Sequence, residues 1–443
     1  MIKRIYIQLL ALIAIIGYPG DINANDYTLI PSTGRKVYVP ITAERAKGQL
    51  LITNYGNTPI QDFDYTLSFQ GNILQEKKFV LTEPLKRMEG ATIEVDVPPH
   101  NQISETELLL TITKVNGEAN RASVNYATLP RITVTKVPRR KVVVEEYTGM
   151  WCGYCPRGIA LMENLAHNYP DDFIGIAIHT GGSADPLTCN DYAWKALDHR
   201  SRPTLDMNRN LLLGYAKAIT EFKEERAKGA DMDVEVSATW DAEKENITVT
   251  PRVTFCINKN EAPYGFAYIL TEDGMKSPNW IQYNNYSGRT AERGVSEELD
   301  YFINAPYNIR NLENNFVAIA AEGVKAPLTG YIKTPIEADK TQSHEYVFRN
   351  ISHKRVIQDK SKLNVCVLLI NMKTGQIENA AKCRISDAKT TGISSSSQRK
   401  SAAAETARYN LDCNTLSLGT PLNADYGRRH SLMAVKQDVK LLN

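Results

Sequence analysis

Long apolar runs are nearly absent from the 443-residue chain. Residues 5–16 form one, shorter than the ~20 residues that a membrane-spanning helix requires. An excess of one charge is lacking too: 52 Lys and Arg face 50 Asp and Glu, for a net charge of +2. That balance excludes the electrostatic footprint of a nucleic-acid-binding protein, so partners have to be read from local sites. No internal repeat occurs. Cysteine is sparse, and Cys189, Cys256, Cys366, Cys383 and Cys413 are scattered, unlike the dense framework of a small disulfide-stapled domain. The cluster Thr180-Gly181-Gly182-Ser183 is too short to mark a phosphate site, and no organic cofactor is implied.

At the N-terminus, Lys3 and Arg4 precede the apolar run, and Gly17, Pro19, Gly20 and then Ile22-Asn23-Ala24 follow it. This is the layout of a secretory signal peptide over residues 1–24. No cysteine lies near the expected cleavage point, which gives lipid attachment there no support. Export places the cysteines where disulfides persist. Their number, seven, is odd, so at least one thiol stays free or pairs between molecules.

Beyond the signal, residues 25–138 alternate apolar and polar positions. Phe63, Tyr65, Leu67 and Phe69 form one such run, Ile93, Val95 and Val97 another, and a third, through Leu108, Leu110 and Ile112, ends at the turn Asn116-Gly117. Period-two runs with such turns indicate an antiparallel sandwich. Over 139–229 the pattern changes to strand and helix in alternation: Val142–Val144, a helical spacing from Ile159 to Asn168, an apolar strand Phe173–His179, helical stretches Asp191–His199 and Tyr215–Lys228. An α/β layer with a parallel portion is the expectation. Over 230–386 strands return, at Val234–Trp240, Ile247–Phe255, Tyr264–Leu270, Phe316–Ala320, His344–Ile351 and Leu363–Ile370, as a second sandwich. Residues 387–443 read as a Ser/Ala-rich linker and tail.

The chemistry concentrates at Glu146-Tyr147-Thr148-Gly149-Met150-Trp151-Cys152-Gly153-Tyr154-Cys155-Pro156, between a strand and a helix. Free N–H groups and the dipole at a helix start stabilise an anion, so Cys152 is expected to titrate below the ~8.5 of a free thiol. Cys152 would then be the attacking thiolate and Cys155 the resolving thiol.

Trp151-Cys152-Gly153-Tyr154-Cys155 after a strand resembles the thioredoxin superfamily. The resemblance implies a buried proton acceptor at Glu146 and a cis-proline at Pro203 facing the dithiol, with Trp151, Tyr154, Arg202 and Thr204 as substrate contacts. Gly153-Tyr154, Pro156 and Arg202 depart from thioredoxin itself and leave the reduction potential open. The three-part layout, Tyr147-Thr148-Gly149, Pro156, Pro203-Thr204 and Asn208-Arg209 are similar to the Bacteroidetes proteins of the Omp twenty-eight-related outer-membrane family. That likeness implies export to the periplasm, outer membrane or surface of a Gram-negative bacterium. Ala407-Arg408-Tyr409-Asn410-Leu411-Asp412 resembles the opening of C-terminal segments from such bacteria, but Cys413 stands where a Gly is common.

The expected fold class is thus a central α/β thioredoxin-like domain flanked by two all-β, Ig-like sandwiches. The expected function is an exported thiol-disulfide oxidoreductase or redox-responsive protein. Its partners would be cysteines of other exported proteins and a thiol redox partner, with no nucleic acid and with outer-membrane association open. The alternative is a surface-binding or adhesin-type protein with an inert disulfide. Glu146 as a solvated charge and Pro203 as a loop proline stand beside their functional readings. A zinc site from Cys152, Cys155, His179 and Cys189 lacks the second close ligand pair that structural zinc usually has. Cys256 and Cys366 read as core thiols, and Trp280, Tyr283 and Tyr286 as an exposed aromatic loop packed on its sandwich or binding a partner.

Overall fold

In the computed structural model, residues 26–192, 201–354 and 356–387 are described. The expected signal peptide, most of the helical stretch Asp191–His199 and the tail with Cys413 lie outside them.

Near the N-terminus, side-chain alternation becomes sheet geometry. Ile60–Phe69 buries Phe63, Tyr65 and Leu67, while Gly90–Val97 buries Ile93, Val95 and Val97. A three-stranded sheet of Leu29–Pro31, Ala46–Asn54 and Gly90–Val97 shares its core with a six-stranded sheet built on Ile60–Phe69, Asn72–Leu85, Ser104–Val115 and Tyr126–Val134. Asn116 and Gly117 take φ of 50° and 87°, the left-handed pair that lets a two-residue turn follow strand twist.

The strand Val142–Thr148 is buried at all seven positions. Val142 and Val144 pack under helix α1 (Pro156–Asn168) and helix α2 (Ala218–Ala227), through Met162, Leu165, Ala218 and Phe222. Val143 and Tyr147 point the other way, into a cluster with Ile176, Ile178, Ile269, Cys366 and Leu368. Burial on both faces is why this stretch reads as an unbroken apolar run.

Here the expected fold class is overturned. No central α/β thioredoxin-like layer stands between two separate sandwiches, and the described chain is mostly strand. Val142–Thr148 pairs parallel with Phe173–His179 and antiparallel with Thr204–Met207. The same sheet runs on, Ala177 opposite Val317, into Val317–Glu322, Tyr264–Glu272, Leu363–Asn371, Ile377–Ser386, Met232–Trp240 and Ile247–Phe255, and counts thirteen strands. The physical reason is coverage. Helices close only one face of the central strands, and strands from beyond residue 230 close the other. Farther along, the sheet folds on itself, so that Trp240, Val249 and Phe255 share a core with Phe266, Tyr268 and Val367.

One helix had no counterpart in the sequence expectations. Helix α3 (Glu297–Asn304) is capped by Ser296, whose Oγ accepts the Leu299 amide at 3.2 Å, and its first turn carries Glu297, Glu298 and Asp300. Both features favour a helix start. Leu299, Phe302 and Ile303 bury against Ala160 of α1.

Candidate functional site

After Thr148 the chain turns through Gly149, Met150 and Trp151 into α1. The Cys152 amide donates to the Gly149 carbonyl at 3.0 Å and the Cys155 amide to the Cys152 carbonyl at 3.2 Å. Pro156 opens the helix, where its missing N–H leaves no bond unmade. Cys152 and Cys155 are joined as a disulfide, their Cα atoms 5.4 Å apart. Cys155 is fully buried, and Cys152 is 6% exposed.

Trp151 and Tyr154 flank the disulfide, 44% and 50% exposed. The Trp151 Nε1 donates to the Thr180 carbonyl at 2.7 Å. Backbone passes so close to this ring that a Cβ on Gly149 or Gly181 would stand 2.6 or 2.5 Å from Nε1. Tyr154 meets Tyr286 edge-on, with the Arg289 guanidinium over both rings.

Glu146 lies on the α1 side of its strand and is buried. Its Oε1 has no hydrogen-bond partner among the described residues. Burial pushes the carboxyl up to about 8, opposed by the nearby Thr148 hydroxyl and reinforced by the charge of Glu163. Gly158, one helical turn after Cys155, sits between Glu146 and Pro203. A Cβ there would overlap the Glu146 Oε1 and stand 3.2 Å from the Pro203 Cβ. The Arg202–Pro203 peptide is cis. Arg202 donates from Nε to the Thr180 Oγ1 at 3.1 Å and lies 5.7 Å over the Tyr147 ring. Thr204 donates from Oγ1 to the Ser201 carbonyl at 2.9 Å. Thr180 thus anchors both Trp151 and Arg202.

A second layer escaped sequence reasoning. The Tyr283 amide donates to the Met150 carbonyl at 2.9 Å, the Asn285 amide to the Gly153 carbonyl at 2.7 Å, and the Gln282 Nε2 to the Cys152 carbonyl at 3.0 Å. A Cβ on Gly153 would stand 2.5 Å from the Asn285 Oδ1. The aromatic loop therefore clamps the disulfide loop. Of its aromatic residues, Tyr286 is buried and Tyr283 is exposed. Asp185 also holds the loop, its carboxylate accepting the Met150 amide at 2.7 Å and the Leu187 amide at 2.9 Å. Burial alone would raise the Asp185 carboxyl, but His179 and the Met150 and Leu187 amides outweigh it and hold it low.

No family model and no curated relative matches the chain. Among solved structures, HBP35 of Porphyromonas gingivalis is similar at a TM-score of 0.38 and 17% identity, over 59% of this chain and 81% of that one. A protein of Agrobacterium tumefaciens is similar at 0.31 and 13%, over 59% of this chain and 100% of that one. A CARDB domain from Pyrococcus furiosus is similar at 0.20 and 15%, over 25% of this chain and 99% of that one. Likeness at this level assigns neither a family nor an activity.

Among the described residues the other four thiols form no disulfide with the site. Cys189, Cys256 and Cys366 are buried and Cys383 half-buried. Burial pushes the Cys256 and Cys366 thiols up to about 12 and those of Cys189 and Cys383 up to about 11. Among the described residues no group of three or more His, Cys, Asp and Glu is arranged to hold a metal ion. His179 pairs with Asp185 instead of joining Cys189 in a zinc site. Asn208 and Arg209 are structural: the Asn208 Oδ1 accepts the Val143 amide at 2.9 Å, and Arg209 bonds both oxygens of buried Glu145.

Proposed function

We propose that the protein is exported and exchanges its Cys152–Cys155 disulfide with thiols of other exported proteins, at the periplasm or cell surface. The observation that carries this reading is the buried Glu146, its Oε1 without a hydrogen-bond partner among the described residues and set against Gly158, three residues after Cys155 in α1. A carboxyl kept protonated near neutral pH costs stability, and such a group suits the loading and unloading of a proton at the resolving thiol. In the reduced state Cys152, in the turn that leads into α1, would be the thiolate that attacks a partner. Trp151 and Tyr154, with Arg202 and Thr204 behind them, would form the contact surface around it.

A second reading is favoured by the clamp of Gln282 and Asn285 and by the 6% exposure of Cys152. In it the disulfide is an inert staple in a β-rich surface-binding or adhesin-type protein, with outer-membrane association. Equilibration with glutathione separates the two. A potential within the roughly −270 to −120 mV of exchange-active dithiols supports exchange, whereas one below about −300 mV, with no Cys152-dependent adducts, supports the staple.

A further inference from the structure

Between the strand Val142–Thr148 and α1 lies a cavity of roughly 10 Å³, room for a single water. Its inner wall carries Glu146, Thr148 and His179, all buried. Its rim is formed by two half-buried residues, Glu163 of α1 and Asn315, whose Nδ2 donates to the Glu163 Oε1 at 2.9 Å. Asn315 is fixed in turn, because its Oδ1 accepts the Gly274 amide at 2.7 Å. The next residue, Phe316, is held at φ of 61°, a left-handed conformation that bulky side chains rarely adopt. Two bonds hold it there: its amide donates to the Asp273 Oδ1 at 2.8 Å, and its carbonyl accepts the Ala177 amide at 2.8 Å. Backbone strain at this point keeps Asn315 over the mouth of the cavity.

We propose that Glu163 is the proton outlet for Glu146, passing a proton between the cavity and solvent while Asn315 holds its carboxyl at the rim. The proposal rests on the exchange reading. In the direction that reduces a partner, the Cys152 thiolate attacks the partner's disulfide, and one partner thiolate leaves as the mixed disulfide forms. The Cys155 thiol then gives its proton to Glu146, which has first released its own proton through the cavity to Glu163 and stands as the carboxylate. Its sulfur attacks the Cys152 sulfur, the Cys152–Cys155 bond forms, and the second partner thiolate leaves. The partner gains two electrons, this chain loses two, and Glu146 keeps the Cys155 proton in place of the one passed to Glu163. The reverse reaction brings one proton in.

The groups facing this path make it acidic. Tyr215, under the Arg157 guanidinium, and His179 lie on the Glu146 side, and Asp273, Glu313 and Glu298 surround Glu163. Burial and these carboxylates raise the Glu163 carboxyl, opposed by the bond from Asn315. Both acids then bind protons more tightly than exposed glutamates, as a relay working near neutral pH requires.

The test uses the full-length protein and two readouts. Carbon-13 NMR of glutamate-labelled oxidised protein follows the Glu146 titration. Stopped-flow exchange with glutathione disulfide follows resolution of the mixed disulfide as a function of pH and buffer concentration. In Glu163→Gln the Glu146 midpoint should fall. The resolution rate should drop about tenfold at low buffer, recover with imidazole buffer, and stay near wild type in Glu163→Asp. An unchanged midpoint with an unchanged rate overturns the proposal, and so does a rate loss that neither imidazole nor Glu163→Asp restores. If the wild-type protein shows no exchange while the Glu146 midpoint still falls in Glu163→Gln, the proton link survives and the exchange reading fails.

Discussion

The Asp185 carboxylate receives the Met150 amide at 2.7 Å through the same oxygen, Oδ2, that meets the His179 Nδ1 at 3.0 Å. One buried acid thus ties the residue two before Cys152 to the last residue of the strand Phe173–His179.

Replacing Asp185 by Asn should lower stability by about 1–3 kcal/mol at pH 7, since a buried pair loses one member. The Asp185 carboxyl is held low, so its contribution is present above the unfolded carboxyl value of about 3.9 and is lost as pH falls through the lower folded value. Urea unfolding should show the gap between wild type and Asp185→Asn at pH 7 and its closing at the acid end.

Glu146 carries the opposite sign. Its folded carboxyl keeps the proton up to about 8, whereas the unfolded one releases it near 4.3, so wild-type stability falls as pH rises between those values. At pH 7 the accumulated cost is about 4 kcal/mol. Glu146→Gln should remove that slope, with denaturant unfolding at pH 5 and pH 8 as the measurement. Equal slopes in the two proteins would place Glu146 in a solvated setting.

Gly158→Ala should break the usual helix trend. An alanine in place of a helical glycine commonly stabilises by about 0.5–1 kcal/mol. Here the new methyl meets the Glu146 Oε1 and the Pro203 ring, and a loss of about 1–3 kcal/mol is expected. Thermal unfolding checks the sign, and a shifted Glu146 titration in the same variant locates the clash.

Much of the strand layout was legible because one-sided burial forces period two. Phe63, Tyr65 and Leu67 go inward as their spacing requires, and Phe173–His179 begins and ends where its apolar run does. Cys152, Cys155 and Glu146 were legible through one short motif. The closure of the central strands was not, because Ile174 and Ile178 look alike whether a helix or the strand Leu363–Asn371 covers them. Gln282 and Asn285 were equally hidden. They reach Cys152 and Gly153 from about 130 residues away, and no local pattern marks an amide that bonds a distant backbone. Ser296 with Glu297, Glu298 and Asp300 did carry a readable helix-start signal, masked by the polar, Gly-containing stretch before it.

The thiols should sort by position. In the native, reduced protein at pH 8, Cys152 should alkylate first and Cys155 more slowly. Cys189, Cys256, Cys366 and Cys383, all raised to about 11–12 by burial, should stay unlabelled until the chain unfolds. Mass-spectrometric mapping of iodoacetamide adducts reads this directly. Early labelling of Cys366 would mean that the Leu363–Asn371 strand opens readily.

The thirteen-stranded sheet bears on any attempt to transplant the disulfide loop into another scaffold. A piece cut at residues 139 and 229 would leave Ile174, Ile176 and Ile178 without the strands that cover them, and the outer edge of Phe173–His179 without its bond to Phe316. It would also lose Gln282 and Asn285, which grip the loop from downstream, and Asn315, which bonds Glu163 at the cavity. Such a fragment is expected to clump through its bare edge rather than keep its shape. A graft that carries the loop has to bring the strands from Tyr264 to Ser386 with it.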